Sequence, residues 1–251
     1  MKILKIVLIF CTLSIQNNYA QKNSDFTEEI VHFKASDGVN ITADRYLTSV
    51  IDAPIILLFH QAGYSRGEYK EIAPKLNQLG FNCLALDQRS GNEVNGIINE
   101  THLNAVKLNK PTQYMDAIPD LEAAYSYVRN KLNPNKIIIW GSSYSAALTF
   151  YLGSVHPNEI DGILAFSPGE YFEIEGKEIR SFASKIKCPV FVTSAKSEEK
   201  QWKAIYDSVK TNKKFFLPND EGKHGSKALW SNNSDHKDYW GAVSEFLIQF
   251  Q

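Results

Sequence analysis

Cysteine is scarce in this chain, with three among 251 residues. So few thiols make no disulfide framework. Cys83 and Cys188 sit inside apolar, strand-like segments and are expected as buried thiols. An excess of one charge is also missing: 27 basic residues stand against 28 acidic ones, for a net charge of −1. No basic tract or stripe occurs, so composition speaks against a nucleic-acid partner. The six histidines show no metal-ligand spacing, and no metal or other cofactor is expected. Neither an internal repeat nor a low-complexity linker divides the chain.

The first twenty residues stand apart. Lys2 and Lys5 give a positive start, an apolar stretch runs from Ile6 to Ile15, and polar Gln16, Asn17 and Asn18 lead to the small residue Ala20. That order is the order of a secretory signal peptide. The apolar stretch is short for a membrane span, although an uncleaved anchor is the alternative reading. Leu8, Ile9 and Phe10 precede Cys11, which leaves no small-residue lipoprotein box, so no stable membrane anchor is expected. Cleavage after Ala20 would leave residues 21–251 in the periplasm or outside the cell. About 230 residues suit one α/β domain. Nothing in the chain sets its oligomeric state.

Ile30 to Phe33 and Val39 to Tyr46 read as two strands joined by the turn Ser36-Asp37-Gly38. Ile55 to Phe59 is wholly apolar, as expected of a strand buried on both faces. Helical spacing follows over Tyr69 to Leu79, then a strand over Phe81 to Leu86. A long polar stretch from Asp87 to Thr112 reads as either a functional loop or a partly ordered segment. Beyond it, Asp116 to Leu132, Ser143 to Val155, Lys200 to Val209 and Tyr239 to Phe250 read as helices. Ile137 to Trp140, Gly162 to Phe166, Pro189 to Thr193 and Lys214 to Leu217 read as strands. Alternating strands and helices predict a mostly parallel sheet covered on both faces, with an antiparallel N-terminal edge and functional loops at the C-terminal strand ends.

One segment carries chemistry directly. Trp140-Gly141-Ser142-Ser143-Tyr144-Ser145-Ala146 follows an apolar strand and opens a helix. A serine hydroxyl is a poor nucleophile unless it is exposed, beside a base and near oxyanion donors. A sharp strand-to-helix turn pushes such a side chain outward, and small neighbours let the backbone pass. The segment resembles the Gly-x-Ser-x-Gly nucleophile elbow of the α/β-hydrolase superfamily. Gly141 and Ser143 match it, and Ser145 replaces the last glycine. Ser142 is the alternative nucleophile, and a serine-rich helix cap without catalysis is the other reading of the same residues.

The resemblance implies an α/β-hydrolase fold of about eight strands, compact and dienelactone-hydrolase-like but with serine as nucleophile. It implies an acid and then a histidine after later strands, in that order. Glu198 falls where the acid is kept, with Glu199 beside it and Asp161 and Asp220 as weaker alternatives. His224 lies in a Gly-flanked loop before the last helix, with His236 as its rival; His32, His102 and His156 have no such setting. One oxyanion donor is implied at the Tyr144 N–H. The other comes from His60-Gln61-Ala62-Gly63, similar to the family's His-Gly-x-Gly, where the register leaves Gln61 or Ala62 and Gln61 is taken first. Asp87-Gln88-Arg89-Ser90-Gly91 resembles a family loop whose Asp and Arg brace neighbouring loops.

The expected activity is acyl transfer to water by Ser143, His224 and Glu198, with a carboxylesterase the first choice. A peptidase or thioesterase of the same fold is an alternative, as is a catalytically silent binding domain. The expected partner is a small-molecule or acylated substrate. Only about twenty residues separate Phe166 from Lys187, too few for a large lid. Tyr64 and Tyr171 are expected to bind substrate, with Tyr144 and Phe172 beside them and the Asn92 to Thr112 stretch as a lip.

Overall fold

The structure, a computed structural model, describes residues 26–251; the expected signal segment, 1–20, lies outside the described residues. Two antiparallel strands, β1 (Phe26–Lys34) and β2 (Asn40–Thr48), open the sheet. The main strands that follow are β3 (Ile55–Phe59), β4 (Asn82–Leu86), β7 (Ile137–Ser142), β8 (Gly162–Phe166), β9 (Val190–Thr193) and β10 (Lys213–Phe216). They form one eight-stranded sheet in the order β1-β2-β4-β3-β7-β8-β9-β10. β2 runs antiparallel to β4, and every pairing from β4 to β10 is parallel. The expected architecture, antiparallel edge included, is the one observed.

Side chains alternate across a strand, so a strand with no polar residue must be covered twice. β3 shows this residue by residue. Ile55, Leu57 and Phe59 join Ile137 and Ile139 in one core, while Ile56 and Leu58 join Ile138 and Trp140 in the other. The first core is closed by α3 (Ile118–Tyr127), α4 (Tyr144–Val155) and α6 (Glu199–Ser208), through Leu121, Leu148 and Trp202. The second is closed by α1 (Ile72–Gln78) and α7 (His236–Leu247), through Ile72, Leu76, Val243 and Phe246. Each such side chain contributes about 1.5–3 kcal/mol by leaving water. Cys83 and Cys188 are buried and free.

Three segments differ from expectation. The Asp87 to Thr112 stretch is not a plain loop: it holds the hairpin β5 (Glu93–Val94) and β6 (Ile97–Ile98) and the helix α2 (Glu100–Lys107). Asn99 caps α2, its side chain accepting the His102 N–H at 2.8 Å. Leu103 and Val106 on α2 face water, so the apolar stripe that betrays a surface helix is missing. The helix expected from Tyr69 begins only at Ile72, after a buried 3-10 turn, Arg66–Tyr69. The Phe166 to Lys187 connection contains the short helix α5 (Ile179–Ala183).

Two buried arginines brace the loops at the C-terminal rim. Arg66 reaches Asp44 at 2.8 Å, Asp87 at 2.6 Å and Glu100 at 3.2 Å. Arg89 reaches Asp37 and Asp120, each at 2.6 Å. The bracing expected of Asp87 and Arg89 is thus what their contacts show.

Candidate active site

Ser143 stands between β7 and α4 with φ 61° and ψ −122°, a conformation few non-glycine residues adopt. Several local contacts hold it there. The Ser143 N–H donates to Phe166 O at 2.7 Å. Gly141 has no room for a Cβ, which would collide with Ser145 O and the Ala146 backbone. Ser145, standing where a glycine was expected, donates from Oγ to Phe59 O at 2.7 Å, and its Oγ accepts the Ser142 N–H at 2.9 Å. That hydroxyl ties the turn to β3, which a glycine cannot do.

The turn directs the two serines differently. Ser142 is buried, and its hydroxyl donates to Glu68 at 2.7 Å. Ser143 is partly exposed, and its Oγ lies 2.8 Å from His224 Nε2. His224 Nδ1 lies 2.5 Å from Glu198 Oε1. A carboxylate only accepts, so Nδ1 donates and Nε2 is left to take the serine proton. Burial pushes the Glu198 carboxyl up, but hydrogen bonds from His224 and Ser167 outweigh it and hold the group below the usual carboxylate range.

Ser167, which the sequence reading passed over, organises this corner. It follows β8 at φ 53° and donates to Glu198 Oε2 at 2.6 Å. Its Oγ accepts the Gly225 N–H at 2.9 Å, and its carbonyl accepts the Tyr171 hydroxyl at 2.7 Å. One residue therefore sets the carboxylate, the histidine loop and Tyr171. A serine directly after a buried strand is the signal it left in the sequence. Gly225 has φ 72°, and a Cβ there would come within 2.6 Å of Gln61 Oε1 and Ser142 Oγ.

The other candidates lie elsewhere. Glu199 begins α6, Asp161 accepts the Ile137 N–H at 2.8 Å, and Asp220 is exposed. His236 opens α7 with Nδ1 2.6 Å from Asn233 O. His32, His102 and His156 contact Thr42, Arg89 O and Glu122. Among the described residues no group of His, Cys, Asp and Glu could hold a metal, and no helix is long and apolar enough to cross a membrane.

The loop after β3, expected to supply an oxyanion donor, departs from expectation at one atom. The Gln61 N–H, taken first as donor, is bound to Glu68 Oε2 at 2.7 Å and is unavailable to a ligand. The Ala62 N–H makes no hydrogen bond among the described residues. Tyr144 opens α4, so its N–H has no partner within the helix.

Aromatic rings stand on the loop after β3 and next to Ser143 in the chain. Tyr64 stacks on Trp230 at 6.3 Å, with Lys227 Nζ 6.0 Å from its ring. Tyr144 is buried, its hydroxyl bound by Gln88 and Ser90, and its ring backs Tyr114 at 4.9 Å. Tyr114 is 43% exposed and lies 6.2 Å from Phe172, so Tyr114 rather than Tyr144 offers a surface. Burial pushes the Tyr171 phenol up to about 12, against a hydrogen bond with Ser143.

A family profile described as the alpha/beta hydrolase fold matches residues 54–242. The chain belongs to the α/β-hydrolase family. This α/β-hydrolase resembles a dienelactone hydrolase from Anabaena variabilis at 13% identity and TM-score 0.71, over 90% of this chain and 99% of that one. It also resembles the Pyrococcus furiosus esterase Pf2001 at 18% identity and TM-score 0.71, over 93% and 96% of the two chains. Acetyl xylan esterase 1 from Thermoanaerobacterium matches at 13% identity and TM-score 0.64, over 91% and 86%. No curated protein matches the chain by sequence.

Proposed function

We propose that this α/β-hydrolase is a secreted serine carboxylesterase working through an acyl-enzyme on Ser143. The observation that carries the reading is the unbroken chain from Ser143 Oγ to His224 at 2.8 Å and from His224 to Glu198 at 2.5 Å. Ser143 Oγ attacks the ester carbonyl as its proton passes to His224 Nε2. Glu198 holds the tautomer and stabilises the imidazolium that forms. The N–H groups of Tyr144 and Ala62 receive the developing oxyanion. The alcohol then departs with the proton from His224, and water repeats the sequence to release the acid. Tyr64 and Tyr171 edge the substrate. Structural neighbours named as esterases favour ester substrates, and the segment 1–20 supports export.

A fluorophosphonate probe tests this reading, with the labelled residue mapped by mass spectrometry and Ser143→Ala run in parallel. Labelling at Ser143 is expected, together with p-nitrophenyl acetate hydrolysis, and both vanish in the variant. Folded wild-type protein that takes up no probe would sink the reading. A panel of ester, thioester and aminoacyl substrates then fixes the acyl class.

A further inference from the structure

One carboxylate beneath the serine turn has no part in the mechanism above. Glu68, on the 3-10 turn Arg66–Tyr69, is wholly buried. Its Oε2 accepts the Gln61 N–H and its Oε1 accepts the Ser142 hydroxyl, both at 2.7 Å. Ser142 Oγ in turn accepts the N–H of Ser226, two residues past His224, at 2.9 Å. The backbone carbonyl of Glu68 accepts the Trp230 indole N–H at 2.9 Å. A single residue thus reaches the oxyanion loop, the serine turn and the segment behind the imidazole.

Packing does not explain a carboxylate at this position. A buried charge is costly unless it is paired, and among the described residues no lysine or arginine forms an ion pair with Glu68. A leucine would fill the same space at no such cost. What a leucine cannot do is accept two hydrogen bonds from opposite sides, one of them from the amide next to Ala62.

We propose that Glu68 is a positioning residue for acyl transfer: its carboxylate turns the Gln61 amide away from Ser143 and so presents the Ala62 N–H to the oxyanion. The same carboxylate keeps the serine turn and the histidine loop in register with that amide. The proposal rests on the serine-hydrolase reading. In the observed arrangement both oxygens accept, so the residue acts as the anion; protonation would reverse the Ser142 link and weaken the hold on the Gln61 amide, which can only donate. Burial pushes the Glu68 carboxyl up to about 7, while the Gln61 N–H, the Ser142 hydroxyl, His224 and Lys227 pull it down. Tyr69 from its own turn and Tyr144 from α4 also face it. The acid limb of turnover therefore carries the ionisation of Glu68 in addition to that of the catalytic base.

The test is steady-state hydrolysis of p-nitrophenyl acetate across pH by wild type, Glu68→Gln and Ser142→Ala, with thermal unfolding of each. In Glu68→Gln, kcat is expected to fall about tenfold or more, because an oxyanion donor acts only in the transition state. KM should stay within about twofold. The acid limb of log kcat should drop from a slope of two to a slope of one. Ser142→Ala removes one donor from the carboxylate and should move that limb to higher pH; it keeps the proposal falsifiable if Glu68→Gln does not fold. Unchanged kcat and an unchanged limb in a folded Glu68→Gln would overturn the proposal, as would a lowered melting temperature with kcat intact. A wild type that fluorophosphonate does not label marks failure of the serine-hydrolase reading itself.

Discussion

Asp87, Asp120 and Glu68 all lie out of water near the C-terminal rim of the sheet, yet they are held in two ways. Asp87 and Asp120 each face a buried guanidinium, Arg66 and Arg89, at 2.6 Å. Burial pushes both carboxyls up to about 6, and the arginines pull against it, so both are anions at neutral pH. Glu68 has only an amide and a hydroxyl for partners and is pushed up to about 7. Where a carboxylate braces loops away from the serine, a counter-ion accompanies it. Where one stands beneath the serine turn, neutral donors replace the counter-ion.

Removing a guanidinium should have the largest effect on stability. Arg89→Met strands Asp37 and Asp120, and breaking a buried pair in this way costs about 3–5 kcal/mol. Thermal unfolding followed by circular dichroism should show a fall in Tm on the order of 10 °C; a fall near zero would put Arg89 on a par with a surface pair. Next in size is a pH effect. The folded-state value for Glu68 lies above its unfolded one, so its contribution to stability is complete below about pH 4.5 and is lost as pH rises to about 7. The loss is about 3 kcal/mol, and Glu68→Gln should lack it. Urea titrations at pH 5 and pH 8 should therefore show a smaller pH difference in the variant than in the wild type. The smallest effect concerns Glu198, which is held by donors like Glu68 but is partly exposed. Ser167→Ala takes one donor from Glu198 and should lower kcat/KM about tenfold, with probe labelling of Ser143 slowed in proportion.

Much of the fold could be read from the chain because its strands contain little but apolar residues. Ile55 to Phe59 and Gly162 to Phe166 match the observed strands to the residue. The serine turn was legible as a strand-to-helix junction, because a small-residue run lies between an apolar strand and a helix; the order of Glu198 and His224 after it, rather than the run itself, favoured a nucleophile over a cap. What escaped notice depends on contacts distant in sequence. The commitment of the Gln61 amide is decided by Glu68, seven residues on, at a spacing no local motif encodes. Ser167 acquires its role only when β8, the Glu198 turn and the Gly225 loop come together. Helix α2 was lost in a polar stretch because its exposed leucine and valine break the usual stripe.

The left-handed backbone at Ser143 also restricts the evolutionary routes open to this position. Glycine, asparagine and aspartate tolerate such a conformation, whereas a β-branched residue resists it. Threonine, though it keeps a hydroxyl, is therefore a poor heir to the role: its extra methyl meets the strain before any question of reactivity arises. The residues that fit this backbone most easily, glycine, asparagine and aspartate, carry no hydroxyl, so the fold tolerates best the substitutes that could not act as an alcohol nucleophile.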